Sequence, residues 1–173
     1  CGIFGMQISG GHTQINDMVK APVVTVTGIG VTDSDEIISS KNIRPGQHIV
    51  MTKWIGIGGI RKLIDIKRDE MREKYTDYVI DKAYGSEEDM SVKCDAQLAL
   101  KAGIRAMHDV AEGGIFAALW DMAQAGNVGL DIDFRSIPVK QEIIELCEMY
   151  DINPYKLESD GALLIAADDA DTL

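Results

Sequence analysis

Apolar and polar positions change period several times along the chain, and the changeovers divide it into elements. Residues 22–31, PVVTVTGIGV, are β-branched and punctuated by glycine, and residues 48–53, HIVMTK, follow the turn signal Arg44-Pro45-Gly46; both are expected to be strands. Between 61 and 83 the pattern turns charged and helical, and residues 91–102 predict a second helix with Val92, Ala96, Ala99 and Leu100 on one side. The GSEED run at 85–89 between them reads as a solvated connector. There follow a short strand at 106–109, a helix running to Ala125, a strand at 128–134 (VGLDIDF) and a helix over 138–150. Pro138 suits the first turn of that last helix, where its missing N–H costs nothing. Ile143, Ile144, Cys147 and Met149 share one broad face of it. A strand at 161–167, GALLIAA, completes the pattern.

Strands alternating with helices predict an α/β or α+β fold in which helices cover a mixed sheet. A domain boundary is expected in the polar stretch between Val31 and Pro45, which holds Asp33, Ser34, Asp35, Ser39 and Ser40. It divides residues 1–35 from residues 36–173. The chain starts at Cys1 rather than Met and stops in DDADTL, where another helix is due, so the expectation is a fragment. Residues 1–35 are then the tail of an upstream domain.

Composition narrows the classes. The 173 residues can fill one core, or one domain and part of another, and 46% hydrophobic with 26% charged residues is ordinary for a globular protein. A net charge of -11 argues against nucleic acid or an anionic membrane as a partner, so any phosphate has to be met locally. No apolar run approaches the roughly 20 residues that span a bilayer, which makes the cytoplasm the default compartment. Cys1, Cys94 and Cys147 are odd in number and lack a CxxC spacing, so neither a disulfide framework nor a zinc site is expected; Cys94 and Cys147 are expected to pack helices. There is no GxSxG nucleophile elbow.

Chemistry concentrates in glycine loops. In AMHDVAEGGIFAALWDMAQAG, at 106–126, His108, Asp109 and Glu112 precede Gly113 and Gly114 at the start of a helix. Asp109 as N-cap with Glu112 three residues on makes a capping box, worth roughly 1 kcal/mol and needing no ligand. It leaves the glycine pair unexplained, since each interior glycine costs about 1 kcal/mol against alanine. The alternative is that something approaches the backbone closely. Bare N–H groups at a helix start suit a phosphate, and two carboxylates tolerate one only across a divalent cation, so the functional reading is a magnesium phosphate site. SGGHT at 9–13 offers Gly10 and Gly11 as backbone donors, with His12 and Thr13 beside them; a tight turn is the structural alternative. In TKWIGIGG, at 52–59, Lys53 ends a strand and can neutralise an anion or simply be solvated. No Walker or dinucleotide fingerprint is present. In LESDGALLIA, at 157–166, Glu158, Ser159 and Asp160 read as a plain loop before a buried strand.

Taken in order, ISGGHTQI, RPGQHIVMTKWIGIGG, AMHDVAEGGIFAALWDMA, VGLDIDF, IPVKQEIIELCEMYDINPYKL and ESDGALLIA resemble the aminoimidazole ribonucleotide (AIR) synthase-like superfamily over nearly the whole chain. That superfamily includes a purine cyclo-ligase, selenophosphate synthetase, thiamine monophosphate kinase and the hydrogenase maturation factor HypE. The TKWIG, HDVAEGGI and IPV segments are most similar to the HypE-like, AIR synthase-related branch. The resemblance implies an N-terminal ATP-binding domain, an α/β C-terminal domain, and a homodimer using ATP and Mg2+ to phosphorylate an amide or acid oxygen of a substrate, with a maturation protein as possible partner. It places Gly10, Gly11, His12, Thr13, Gly113 and Gly114 at nucleotide phosphates and Asp109 and Glu112 at the metal. The family's acidic DDAA segment is absent here, and Gly58 stands where a GxEG segment carries an acid. The fragment is therefore expected to be catalytically incomplete; the alternative is a non-catalytic dimerisation or partner-binding module, or a selenophosphate synthetase-like or purine-biosynthetic member.

Overall fold

The computed structural model describes residues 5–32 and 37–170; the expectations that rest on Cys1, on Asp33, Ser34 and Asp35, and on residues 171–173 lie outside them. Contacts divide the chain into two units, Cys1–Ser34 and Asp35–Leu173.

In the first unit the expected strand at 22–31 is not formed. Its backbone has no ladder partner among the described residues, and Val23, Val24, Val26, Ile29 and Val31 are exposed. β-branched residues favour a strand only when a neighbour takes up the N–H and C=O groups and covers one face. Residues Gly10 to Thr13 are also exposed and outside any helix or strand.

The second unit is built on three strands, β1 (His48–Met51), β2 (Ala106–Asp109) and β3 (Leu163–Ala167), in the order β1-β3-β2. Both pairings are antiparallel, with His48 opposite Ala167 and Ala106 opposite Ala166. All five residues of β3 are buried, because helices cover both faces of the central strand. Leu164 and Ala166 face one core with Ile115, Ala118, Leu119 and Met122 of α4 (Gly114–Gly126). Leu163, Ile165 and Ala167 face another with Ala99 of α3 (Lys93–Lys101). A third cluster joins α1 (Ile57–Arg72), α2 (Asp77–Tyr84) and α5 (Gln141–Met149) through Ile60, Ile64, Met71, Ile80, Ile143 and Leu146.

Several expected elements differ. The helix of 61–83 begins earlier, at Ile57, and breaks between Arg72 and Asp77. Tyr75 anchors the corner by donating its hydroxyl to the Glu145 carbonyl at 2.9 Å. The strand of 128–134 is not formed. Val128, Leu130 and Ile132 do pack against the α4 core, but the segment has no ladder and ends in a 3-10 turn, Phe134–Ser136. It follows the helix stop, where Asn127 takes a left-handed conformation and Val128 N–H returns to the Ala123 carbonyl. Pro138 precedes α5 instead of opening it, and its carbonyl accepts the Ile55 N–H at 3.0 Å. Cys147 packs in the core as expected, and burial pushes its thiol up to about 11; Cys94 is exposed. No helix among the described residues is long and apolar enough to cross a membrane.

Lys53 does not stand free for an anion. Its left-handed backbone (φ 57°) turns the side chain inward, where Nζ donates to the carbonyls of Ser91 (2.7 Å) and Gly161 (2.8 Å) and to Asp95 Oδ2 (2.5 Å). All three ammonium protons are taken, and the lysine pins the end of β1 to α3 and to the loop before β3. Lys53→Met should therefore destabilise the fold by about 1–3 kcal/mol in urea denaturation, whereas a solvated lysine would cost less than about 0.5 kcal/mol.

Candidate functional site

The acidic loops gather where β1 and β2 end and β3 begins. Asp109 closes β2 opposite Leu163, and Thr52 N–H donates to the Leu163 carbonyl at 2.9 Å. Between the first turns of α1 and α4 runs the segment 155–160. Ser159, fully buried, holds it there: its Oγ accepts the Gly56 N–H at 2.7 Å and donates to the Leu157 carbonyl at 3.1 Å, and its own N–H donates to the Val110 carbonyl at 3.1 Å.

This packing explains the glycines. α1 and α4 both start behind a left-handed glycine, Gly56 (φ 79°) and Gly113 (φ 77°), and neither has a side-chain cap. A Cβ on Gly114, itself at φ 67°, would collide with the Tyr155 carbonyl and lie 2.8 Å from that of Leu157; one on Gly59 would lie 2.8 Å from the Leu157 side chain. A Cβ on Gly58 would strike the Asp160 carboxylate. What approaches Gly114 closely is thus the chain's own 155–157 backbone, whereas a Cβ on Gly113 would meet only Ala117.

The capping box is overturned at the same point. Asp109 belongs to β2 and its side chain is 68% exposed, while the helix begins only at Gly114, after a turn in which Gly114 N–H donates to the Ala111 carbonyl. Two consecutive left-handed glycines put the helix start out of line with the carboxylates. Asp109 and Glu112 instead line an open cleft of about 410 Å³ with His108 and Asp121. The His108 Nδ1 lies 2.6 Å from the Asp109 carbonyl.

The charges at this end are unbalanced. Asp160 is held above its ordinary value, first by burial and then by the carboxylates of Glu158, Asp109 and Glu112, with Lys62 opposing. Lys62 itself is raised, first by its hydrogen bond to Glu158. Lys62 is set against three acids, Glu158, Asp160 and Glu112. Among the described residues no three His, Cys, Asp or Glu side chains converge tightly enough to hold a metal by themselves. Asp109, Glu112, Gly113 and Gly114 therefore lie together, whereas Lys53 is committed elsewhere. Gly10, Gly11, His12 and Thr13 belong to the other unit. Sequence reasoning passed over Lys62 and read Ser159 and Asp160 as a plain loop; the signal available was the excess of glycines in 56–59, which announces a close neighbour.

With no cap to lose, Asp109→Ala should change stability by less than about 0.5 kcal/mol in thermal or urea denaturation, against roughly 1 kcal/mol for a true N-cap. A raised folded-state pKa means that ionised Asp160 works against the fold. Asp160→Asn should thus stabilise the chain at pH 7, by under about 1 kcal/mol given its solvent exposure, and the gain should vanish as pH falls below 3.8, its ordinary value.

Comparison with known proteins bears on this arrangement. Carbamoyl dehydratase HypE of Rhizobium leguminosarum bv. viciae is 32% identical over 175 residues, covering 98% of this chain and 47% of its own. The chain thus spans about half the length of this curated relative. The crystal structure of Escherichia coli HypE superposes with a TM-score of 0.60 at 21% identity, over 80% of this chain and 40% of that one. A structure of HypE in complex with ATP superposes with a TM-score of 0.58 at 19% identity, over 76% and 37%. Residues 44–172 match the family described as AIR synthase related protein, C-terminal domain, and the chain, with its two-sided β3 and its glycine-started helices, belongs to that family.

Proposed function

We propose that this chain is the C-terminal region of an ATP-dependent enzyme of the carbamoyl dehydratase type, acting in hydrogenase maturation, and that Asp109 and Glu112 hold the magnesium of its nucleotide. The observation that carries this reading is that Asp109 and Glu112 line one open cleft with His108 and Asp121 beside the uncapped start of α4. When bound, ATP supplies the phosphoryl group and magnesium neutralises its charge. The chain's own residues do the rest. Asp109 and Glu112 would hold the cation and the N–H groups of the first turn of α4 would serve the phosphates, while Gly10, Gly11, His12 and Thr13 are assigned to nucleotide phosphate on the family resemblance alone. Ser159 keeps the two glycine-started helices at a fixed separation. Relatives named as HypE, and a HypE structure with ATP, support this assignment. Because the chain spans about half of the relative described above, the activity is assigned to the larger enzyme, working as a cytoplasmic homodimer with a maturation protein presenting the substrate. The isolated chain is expected to be inactive.

A non-catalytic module of the same fold is favoured by one observation: the chain's own backbone already fills the space beside Gly114. Calorimetry separates the two readings. In the full-length enzyme, Asp109→Asn with Glu112→Gln should weaken magnesium-dependent ATP binding and ATP turnover by more than about tenfold while leaving the melting temperature unchanged. Equal binding by variant and parent would overturn the metal role.

A further inference from the structure

The opposite end of the sheet has the opposite charge. Four steps along β3 from Leu163, about 14 Å at strand rise, β3 finishes at Ala167 beside the starts of β1 and β2. There a cleft of about 490 Å³ is lined by Lys41, Arg44, Gln47 and Arg105, with Asp168 its one carboxylate, in a chain whose net charge is -11. Arg44 Nη2 donates to both oxygens of Asp168, at 3.2 and 3.0 Å, and Gln47 Nε2 donates to Oδ1 at 2.9 Å. Gln47 is itself aimed, since its Oε1 accepts the Arg44 N–H at 2.9 Å. These donors form a ready cradle for an oxyanion. A guanidinium with a neighbouring amide fits carboxylate and phosphate alike.

We propose that this cleft binds a compact oxyanion, a phosphate or carboxylate group on a small solute, and that Asp168 fills the cradle in its absence. Asp168 is suited to such exchange. It follows the last ladder residue of β3, and its side chain and that of Arg44 are 74% and 68% exposed, so water and solutes reach a pair that is only weakly held. Lys41 supplies further positive charge along the same wall, and the volume accommodates a small metabolite. The site is independent of the nucleotide reading, because it shares no residue with the acidic end.

The test is an amide NMR titration of the chain with inorganic phosphate and, separately, with succinate. Saturable shifts are expected at Lys41, Arg44, Gln47 and Arg105, and the tighter of the two anions identifies the headgroup. Asp168→Asn removes the internal competitor and should tighten binding about two- to fivefold. Arg44→Met should abolish it, and Arg44→Lys, which keeps the charge but not the fork, should fall between. Shifts confined to 108–114, or an affinity that Asp168→Asn leaves unchanged or lowers, would overturn the proposal.

Discussion

The knot at Ser159 is the constraint on which the site depends. One hydroxyl accepts from the start of α1 and donates to the segment ahead of β3, while the same residue's N–H reaches the end of β2. Because Ser159 is fully buried, none of these groups has water as a substitute, and a missing partner leaves an unpaired polar atom in the core. The three segments that carry Gly58, Asp109 and Asp160 are thereby tied at a single point. Lys53, three residues before Gly56, repeats the device, tying the end of β1, α3 and Gly161 through one ammonium group. Polar knots of this kind specify position in a way that the surrounding Ile, Leu and Ala contacts, which tolerate sliding, do not.

Most of the second unit was legible because its elements obey their periods. β3 reads as an unbroken apolar run for the reason a two-sided strand must, and α4 and α5 carry their apolar faces where 3.6-residue spacing puts them. The failures share a cause. Residues 22–31 and 128–134 both have strand chemistry, but strand formation is decided by whether a second backbone lies alongside, and no local pattern reports that. The break between α1 and α2 likewise depends on Tyr75 finding Glu145, a residue seventy positions away.

The site divides in the same manner. That Asp109, Glu112 and the two glycines belong together was visible in their spacing, and the family resemblance agrees with the match over residues 44–172. Their spacing nevertheless suggested a helix cap, because it counts residues and cannot register the two left-handed glycines that delay the helix to Gly114. Lys53 misled for a related reason. A lysine ending a strand is solvated unless its backbone turns it inward, and a φ of 57° is not written in the residue type.

The glycine pair then acquires a different cause from a ligand. Tyr155 and Leu157 carbonyls occupy the space that a side chain at 114 would fill, so Gly114 lets the chain approach itself, while Gly113 supplies the left-handed turn before the helix. The same approach also assembles the acidic loops. Only with the 155–160 segment pressed against both helix starts do Glu158 and Asp160 reach the neighbourhood of Asp109 and Glu112, where burial first, and then the neighbouring carboxylates, raise Asp160. Bringing like charges together costs free energy, and a fold retains such an arrangement most readily where a cation relieves it. The close packing and the carboxylate cluster are therefore one feature, the first being the means by which the second is assembled.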